Sequence, residues 1–306
     1  MSEILTVSNK AAKKFIYTIL ATSMLLISVV MGVNYVSIKN GGTGITALDL
    51  YKYQMAKLDN AEDVEIVFLG DSSLGHAIDA KHFSDLAQKE TLNLALTGSY
   101  GLLGSYNMLR HSVSKQPVKT AVIMQSLDIF SEPISYVGYH QTLADLDSPK
   151  EISINLSTYF DIYFNVGIFA GIFKAWRSSD PSGMIAEVIS NDYVIQGAQM
   201  DESSIQQNIV KHMWQLESIV KERYIALKLI NKYCNENNIN CIFTTSPYLE
   251  QACNKDLNYI DEVINLAVST GITTLNNQIC FPSAHIGDSF NHVNKFFKVE
   301  YTELYY

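Results

Sequence analysis

The chain has 306 residues, 47% of them hydrophobic, with 31 acidic against 22 basic side chains and a formal net charge of -9. Such a composition builds a core and is unlike that of a disordered chain. No clustered Lys and Arg are present to match a phosphate backbone, so nucleic acid is excluded as an expected partner.

Phe15 to Val33 carries no charge. At about 1.5 Å per residue it spans roughly 28 Å, the thickness of a bilayer core. Lys10, Lys13 and Lys14 precede it, and Lys39 is the only basic residue just beyond. The positive-inside bias therefore predicts a cytoplasmic N-terminus, a single-pass anchor over residues 1–36 and everything later outside. A cleaved signal peptide is the competing reading. The apolar run is long for one, and Asn34-Tyr35-Val36 offers no small-x-small cleavage site. Cys234, Cys241, Cys253 and Cys280 are even in number and lack a paired C-x-x-C spacing for zinc. In an oxidising compartment they predict disulfides, Cys253 with Cys280 and Cys234 with Cys241 among three possible pairings; four reduced, buried cysteines are the alternative.

Residues 37–63 read as a stalk. Asn40-Gly41-Gly42-Thr43-Gly44 is a flexible hinge, and Leu48, Leu50, Tyr51, Met55 and Leu58 mark a short amphipathic helix. From residue 64 to 306 the pattern alternates. Strands are predicted at Val64–Leu69, Leu92–Leu96, Ala121–Met124, Cys241–Thr245 and Ile272–Leu275. Helices are predicted at about 73–88, 100–115, 204–237, 256–269 and 294–306. This alternation implies α/β architecture with a doubly wound, flavodoxin-like parallel sheet. Residues 130–203 break the alternation and include Gly167–Trp176, GIFAGIFKAW. A helical insertion packed over the domain is favoured over a surface that touches the membrane or a partner. Asp161 and Asn165 interrupt the apolar run, which argues against a second spanning helix.

The first strand ends in Phe68-Leu69-Gly70-Asp71-Ser72-Ser73-Leu74. Ligands of open α/β sheets gather at the carboxyl ends of strands. A serine at that strand-to-helix turn points its Oγ into the crevice, and its N–H lies where a helix dipole favours an oxyanion. Helix capping by Asp71 or Ser72 is the plain alternative. Two later features add to the serine. Asn93-Leu94-Ala95-Leu96-Thr97-Gly98 closes the second strand on a glycine beside the first strand's loop. Asp288-Ser289-Phe290-Asn291-His292-Val293-Asn294 places a histidine before the last helix. A hydroxyl nucleophile needs such a base, and the base an orienting acid.

Gly70-Asp71-Ser72, Ile78-Asp79, Asn93-Leu94-Ala95 with Gly98, and His292-Val293-Asn294 together resemble the SGNH (GDSL-like) hydrolases. The longer run is similar to a membrane-anchored subgroup that modifies cell-envelope polysaccharides. The resemblance covers about 64–128 and 240–306. It implies Ser72 as nucleophile and oxyanion donor, Gly98 as second oxyanion donor and His292 as general base. It departs at two places. The family's aspartate stands three residues before the histidine, where this chain has Ser289; Asp288 stands four before, leaving an Asp288 triad or a Ser–His dyad. Leu127, in Gln125-Ser126-Leu127-Asp128, takes the place of an oxyanion-hole asparagine.

Asp71, His76 and Tyr248 are candidates to line the substrate path, and His76 could serve as an alternative base. His285 reads as a rim residue; His82, His111, His140 and His212 read as structural or exposed. The expected function is serine-dependent acyl transfer, as an O-acetyltransferase or acetylesterase, on a cell-envelope glycan outside the cytoplasmic membrane. The resemblance implies a multi-span membrane O-acyltransferase as partner. No cofactor or metal is called for. A lipase-like esterase and a catalytically silent, glycan-binding scaffold remain alternatives.

Overall fold

The computed structural model describes residues 9–40, 46–143, 146–147, 149–152, 155–177, 200–213, 218–255, 257–275 and 278–306. The predicted glycine hinge at 41–44 lies outside them. The chain divides into two compact units, residues 1–45 with 153–181, and residues 46–152 with 182–306.

The first unit is built on α1 (Asn9–Asn40), with α7 (Leu156–Tyr163) and α8 (Val166–Arg177) packed on it. α1 is long and apolar enough to cross a membrane. Phe15, Leu20, Met24 and Leu25 all face outward along it. α7 and α8 thus share a unit with α1; the sequence led to the expectation of a helical insertion over about 130–203. An apolar stripe on a helix marks a buried face but not which neighbour buries it.

The second unit begins with α2 (Thr46–Asn60), followed by β1 (Ile66–Gly70), α3 (Ser72–Ala77), α4 (Ala80–Ala87), β2 (Thr91–Asn93), α5 (Gly101–Lys115), β3 (Thr120–Gln125) and α6 (Tyr136–Leu143). After the excursion come α9 (Glu202–Met213), α10 (Glu222–Glu236), β4 (Asn240–Thr245), β5 (Tyr248–Leu249), α11 (Glu250–Cys253), α12 (Leu257–Ser269), β6 (Thr273–Thr274), β7 (Cys280–Phe281) and α13 (Lys298–Leu304). The main sheet is wholly parallel in the order β2-β1-β3-β4-β6. That order is compatible with a flavodoxin-like fold. Its topological switch lies between β1 and β3, and open α/β sheets bind ligands at the carboxyl ends of the strands at such a point. β1 is buried along its whole length, as a central parallel strand should be. Ile66, Phe68, Val122 and Met124 pack with Leu74, Ala77, Ile78 and Phe83 from the helices after β1.

Four elements differ from expectation. The single helix predicted over about 204–237 is two, α9 and α10, with residues 218–220 outside any helix. The helix predicted over 73–88 is two helices, because Ile78 turns into the core and Asp79 restarts the chain by capping the His82 N–H. The amphipathic helix assigned to the stalk is part of the domain. Leu50, Gln54 and Leu58 of α2 are buried, and the Gln54 amide and Lys57 amine donate to the Ala95 and Asn93 carbonyls. β5 and β7 form a separate two-stranded sheet the sequence did not suggest. Both disulfides are present, Cys234–Cys241 from α10 to β4 and Cys253–Cys280 beside the small sheet.

Candidate active site

The site starts from the end of β1. A Cβ on Gly70 would lie 1.8 Å from the Met124 carbonyl oxygen of β3, so only glycine permits this approach of the two strands. Close approach, rather than the sharpness of the turn, is what Gly70 supplies. Asp71 follows as the N-cap of α3. One carboxylate oxygen accepts from the N–H and hydroxyl of Ser73, the other from the N–H and hydroxyl of Ser126 at 2.9 and 2.7 Å. It clamps the carboxyl ends of β1 and β3 together. Ser72 is the first residue of α3, half-buried, with its Oγ free of that clamp.

The Ser72 hydroxyl lies 3.0 Å from Nε2 of His292, although the two residues are 220 positions apart. His292 Nδ1 lies 2.7 Å from Asp288 Oδ1. The chain between these two forms a tight hairpin. Ile286 and Val293 bridge antiparallel, and the Gly287 and His292 N–H groups donate to the His292 and Ser289 carbonyls. Phe290 accepts the Leu249 N–H at 2.8 Å, tying the hairpin to β5. This folded loop lets an aspartate four residues before the histidine reach its ring. Ser289, at the three-residue spacing, bonds instead to Asn291.

The segment after β2 continues alongside β1, with the Leu94 and Leu96 N–H groups donating to the Phe68 and Gly70 carbonyls, each at 2.9 Å. It delivers Gly98 to the start of a short 3-10 turn at the crevice end of the sheet. Gly98 is half-buried, and a Cβ there would meet nothing within 4 Å, so open space adjoins it. Leu127 is fully buried and presents no polar atom.

The three side chains expected to line the substrate path are all buried. Asp71 is the strand clamp just described. Tyr248 packs edge-on against Phe290 and supports the histidine hairpin. His76 is 2% exposed, one turn into α3, and its ring stacks on His292 at 4.0 Å. Burial, and next the neighbouring His292, push the His76 pKa down to about 3, so its imidazole is neutral. This neutral ring lies face to face with the imidazole that contacts Ser72. His285 stacks on Phe297 and bonds the Tyr301 hydroxyl; His111 bonds Thr142 in the core; His82 pairs with Glu303 at the surface. The His212 side chain lies outside the described residues.

The sequence reading overlooked one acid. Asp128 follows β3 at the same sheet end, and burial, with the adjacent Asp71 charge, raises its pKa to about 6 despite a bond from Ser126. Its position beside Leu127 was the available signal. His76, Asp288 and His292 place one ligand atom each within 4.8 Å of one another, a spacing a metal ion could use. Both His292 nitrogens already contact Ser72 and Asp288, the arrangement of a proton relay.

No protein-family model, no curated protein and no solved structure matches the chain, so the functional reading rests on this geometry.

Proposed function

We propose that this protein is an SGNH-type serine acyltransferase or esterase, anchored by α1, that works outside the cytoplasmic membrane on an acylated cell-envelope glycan. The observation that carries the reading is the continuous chain Ser72 Oγ, His292 Nε2, His292 Nδ1, Asp288 Oδ1, at 3.0 and 2.7 Å. Hydroxyl, imidazole and carboxylate in that order make a nucleophile, its base and the base's orienting group.

In the proposed reaction Ser72 Oγ attacks the carbonyl carbon of an ester while its proton passes to His292 Nε2. The carbonyl π pair moves onto oxygen. The backbone N–H of Ser72, an orphan donor at the start of α3, and that of Gly98 receive the oxyanion. On collapse the ester C–O bond breaks, and His292 returns the proton to the departing alkoxide. A sugar hydroxyl, or water, then gives its proton to His292 and attacks the acyl-serine; the Ser72 Oγ–acyl bond breaks and His292 returns the proton to Ser72 Oγ, regenerating the free hydroxyl. Asp288 remains ionised and holds His292 Nδ1–H throughout.

The two disulfides and the exposed apolar α1 support an extracytoplasmic, membrane-bound setting. Retention of α1 is supported by its packing with α7 and α8, which would lose their partner if a leader were removed. A glycan acceptor and a membrane acyl-donor partner come from the family resemblance. The buried Leu127 favours a second reading, a catalytically silent glycan-binding domain, because one side-chain oxyanion donor is missing.

The test is covalent trapping. The intact protein should be labelled by a fluorophosphonate, with the adduct mapped to Ser72, and Ser72→Ala should be unlabelled. A folded wild-type protein that takes no label, together with normal envelope acylation in cells carrying Ser72→Ala, would leave the silent domain as the reading.

A further inference from the structure

We propose that the α7–α8 hairpin is a membrane-interfacial device, seated in the outer boundary of the bilayer and pinned there by Asn34. The proposal rests on α1 being the membrane span and is independent of the chemistry at Ser72. Along α1, Asn34 lies roughly 28 Å beyond Phe15 at about 1.5 Å per residue, where the continuous apolar run gives way to its first amide, five residues before Lys39. Its side chain is fully buried. Nδ2 donates to the Tyr163 carbonyl at 2.8 Å and to the Asn165 carbonyl at 2.9 Å. These belong to the turn between α7 and α8, where helix-end carbonyls lack intrahelical partners. The Asn165 side chain in turn accepts the Ile168 N–H at 3.1 Å and caps α8. The Tyr163 and Asn165 carbonyls and the Ile168 N–H are therefore paired within the unit, as a zone poor in water favours, while Asn34 Oδ1 is buried with no hydrogen-bond partner among the described residues.

The outward faces point the same way. Leu156 is 85% exposed and Val166 65%, with Tyr159 and Phe160 also outward, although Ile162 and Ile168 are buried inward. Apolar residues on the outer as well as the inner side of two short helices leave the outer set without cover in water. The rings of Tyr35 and Tyr163 lie 5.6 Å apart beside the pin, and tyrosine is enriched at the headgroup level. The apolar surface of α1 and that of α7 and α8 thus meet at the one depth where a bilayer ends. Lipid is the occupant that continuity with α1 selects. Asp161 and Ser157, also exposed on α7, suit a boundary position and not a second span.

The experiment uses the full chain, disulfides intact, reconstituted alone into phosphatidylcholine–phosphatidylglycerol vesicles. An environment-sensitive fluorophore is attached at Phe160→Cys or Val166→Cys, with Leu25→Cys in α1 and Val268→Cys in α12 as references. Lipids carry a doxyl quencher near the top or near the end of the acyl chain. Labels at 160 and 166 should lose several-fold more fluorescence than the label at 268, and more to the shallow quencher than to the deep one. The label at 25 should prefer the deep quencher. Labels at 160 and 166 that behave like 268 while 25 is quenched would overturn the hairpin proposal and leave the anchor standing; an apolar face kept for a protein partner would give that result. An unquenched label at 25 would remove the anchor and the proposal with it.

Discussion

The rings of His76 and His292 lie parallel, 10° apart in plane and 4.0 Å between centroids. His76 is held neutral, mainly by burial, with a pKa near 3. A neutral imidazole face is a rigid support for His292 and, in the proposed reaction, would be a favourable neighbour when that ring becomes a cation. It also makes folding sensitive to acid. In the unfolded chain the group titrates near its ordinary value, about 6.5. Between about 3 and 6.5 the unfolded state binds the extra proton, so stability rises with pH across that window and is complete above it. His76→Phe removes this linkage while keeping an aromatic face against His292. The packing cost of the larger ring is the same at every pH and cancels in a difference. Relative to wild type, the variant should gain about 2 kcal/mol between pH 8 and pH 5. Urea midpoints at the two pH values measure it; parallel behaviour of the two proteins would show that His76 is not a buried neutral group.

Asp288 reaches His292 from four residues away because the Ile286–Val293 hairpin folds the chain back on itself. Asp288→Asn should therefore reduce acyl transfer by about three to four orders of magnitude, with little change in stability, because the amide no longer secures the correct tautomer. The swap Asp288→Ser with Ser289→Asp installs the three-residue spacing of the SGNH hydrolases that the sequence resembles. It should not restore activity here, since position 289 faces Asn291 and not the imidazole. Rates of turnover with an aryl acetate compare the three proteins directly. A rescued double variant would mean that the hairpin is loose enough for either spacing to work.

Much of this was legible in the sequence because it rests on local rules. An apolar run ending at Gly70, followed by Asp71-Ser72, locates a strand end and a helix cap before any coordinates exist. The parallel sheet follows from the alternation of elements, and the charge-free run from Phe15 to Val33 fixes α1. What was not legible depends on partners distant in the chain. Leu50, Gln54 and Leu58 form an amphipathic stripe, but nothing local says the stripe faces β2 and not a free stalk. The same holds for Ile162 and Ile168, whose partner is α1. β5 and β7 are two residues each, too short for any periodicity to register. The reach of Asp288 depends on a loop closure set by Gly287 and by the Phe290 bond to Leu249, neither of which has a sequence signature. Asp71 and Tyr248 were expected to line a substrate path, but their burial, against Ser126 and against Phe290, depends on partners far along the chain.

Asp128 gives the last prediction. Its carboxyl is buried beside Asp71 at the end of β3, and its pKa is raised to about 6. An ordinary aspartate titrates near 3.9 when the chain is unfolded. Between those two values the folded state holds the proton and the unfolded state does not, so stability falls as pH rises through the window. The penalty is complete above about pH 6 and absent below about 4. Asp128→Asn cannot ionise and escapes it. The variant should be more stable than wild type by on the order of 3 kcal/mol at pH 8, and nearly equal to it at pH 4. Thermal unfolding at the two pH values reads the difference. Equal stabilities at both would place Asp128 in water, where its charge costs nothing. If the gain at pH 8 is accompanied by lost acyl transfer, the acid belongs to the site and not only to its scaffold. That outcome would follow if a neutral carboxyl at this strand end supplies the hydrogen bond that Leu127 cannot.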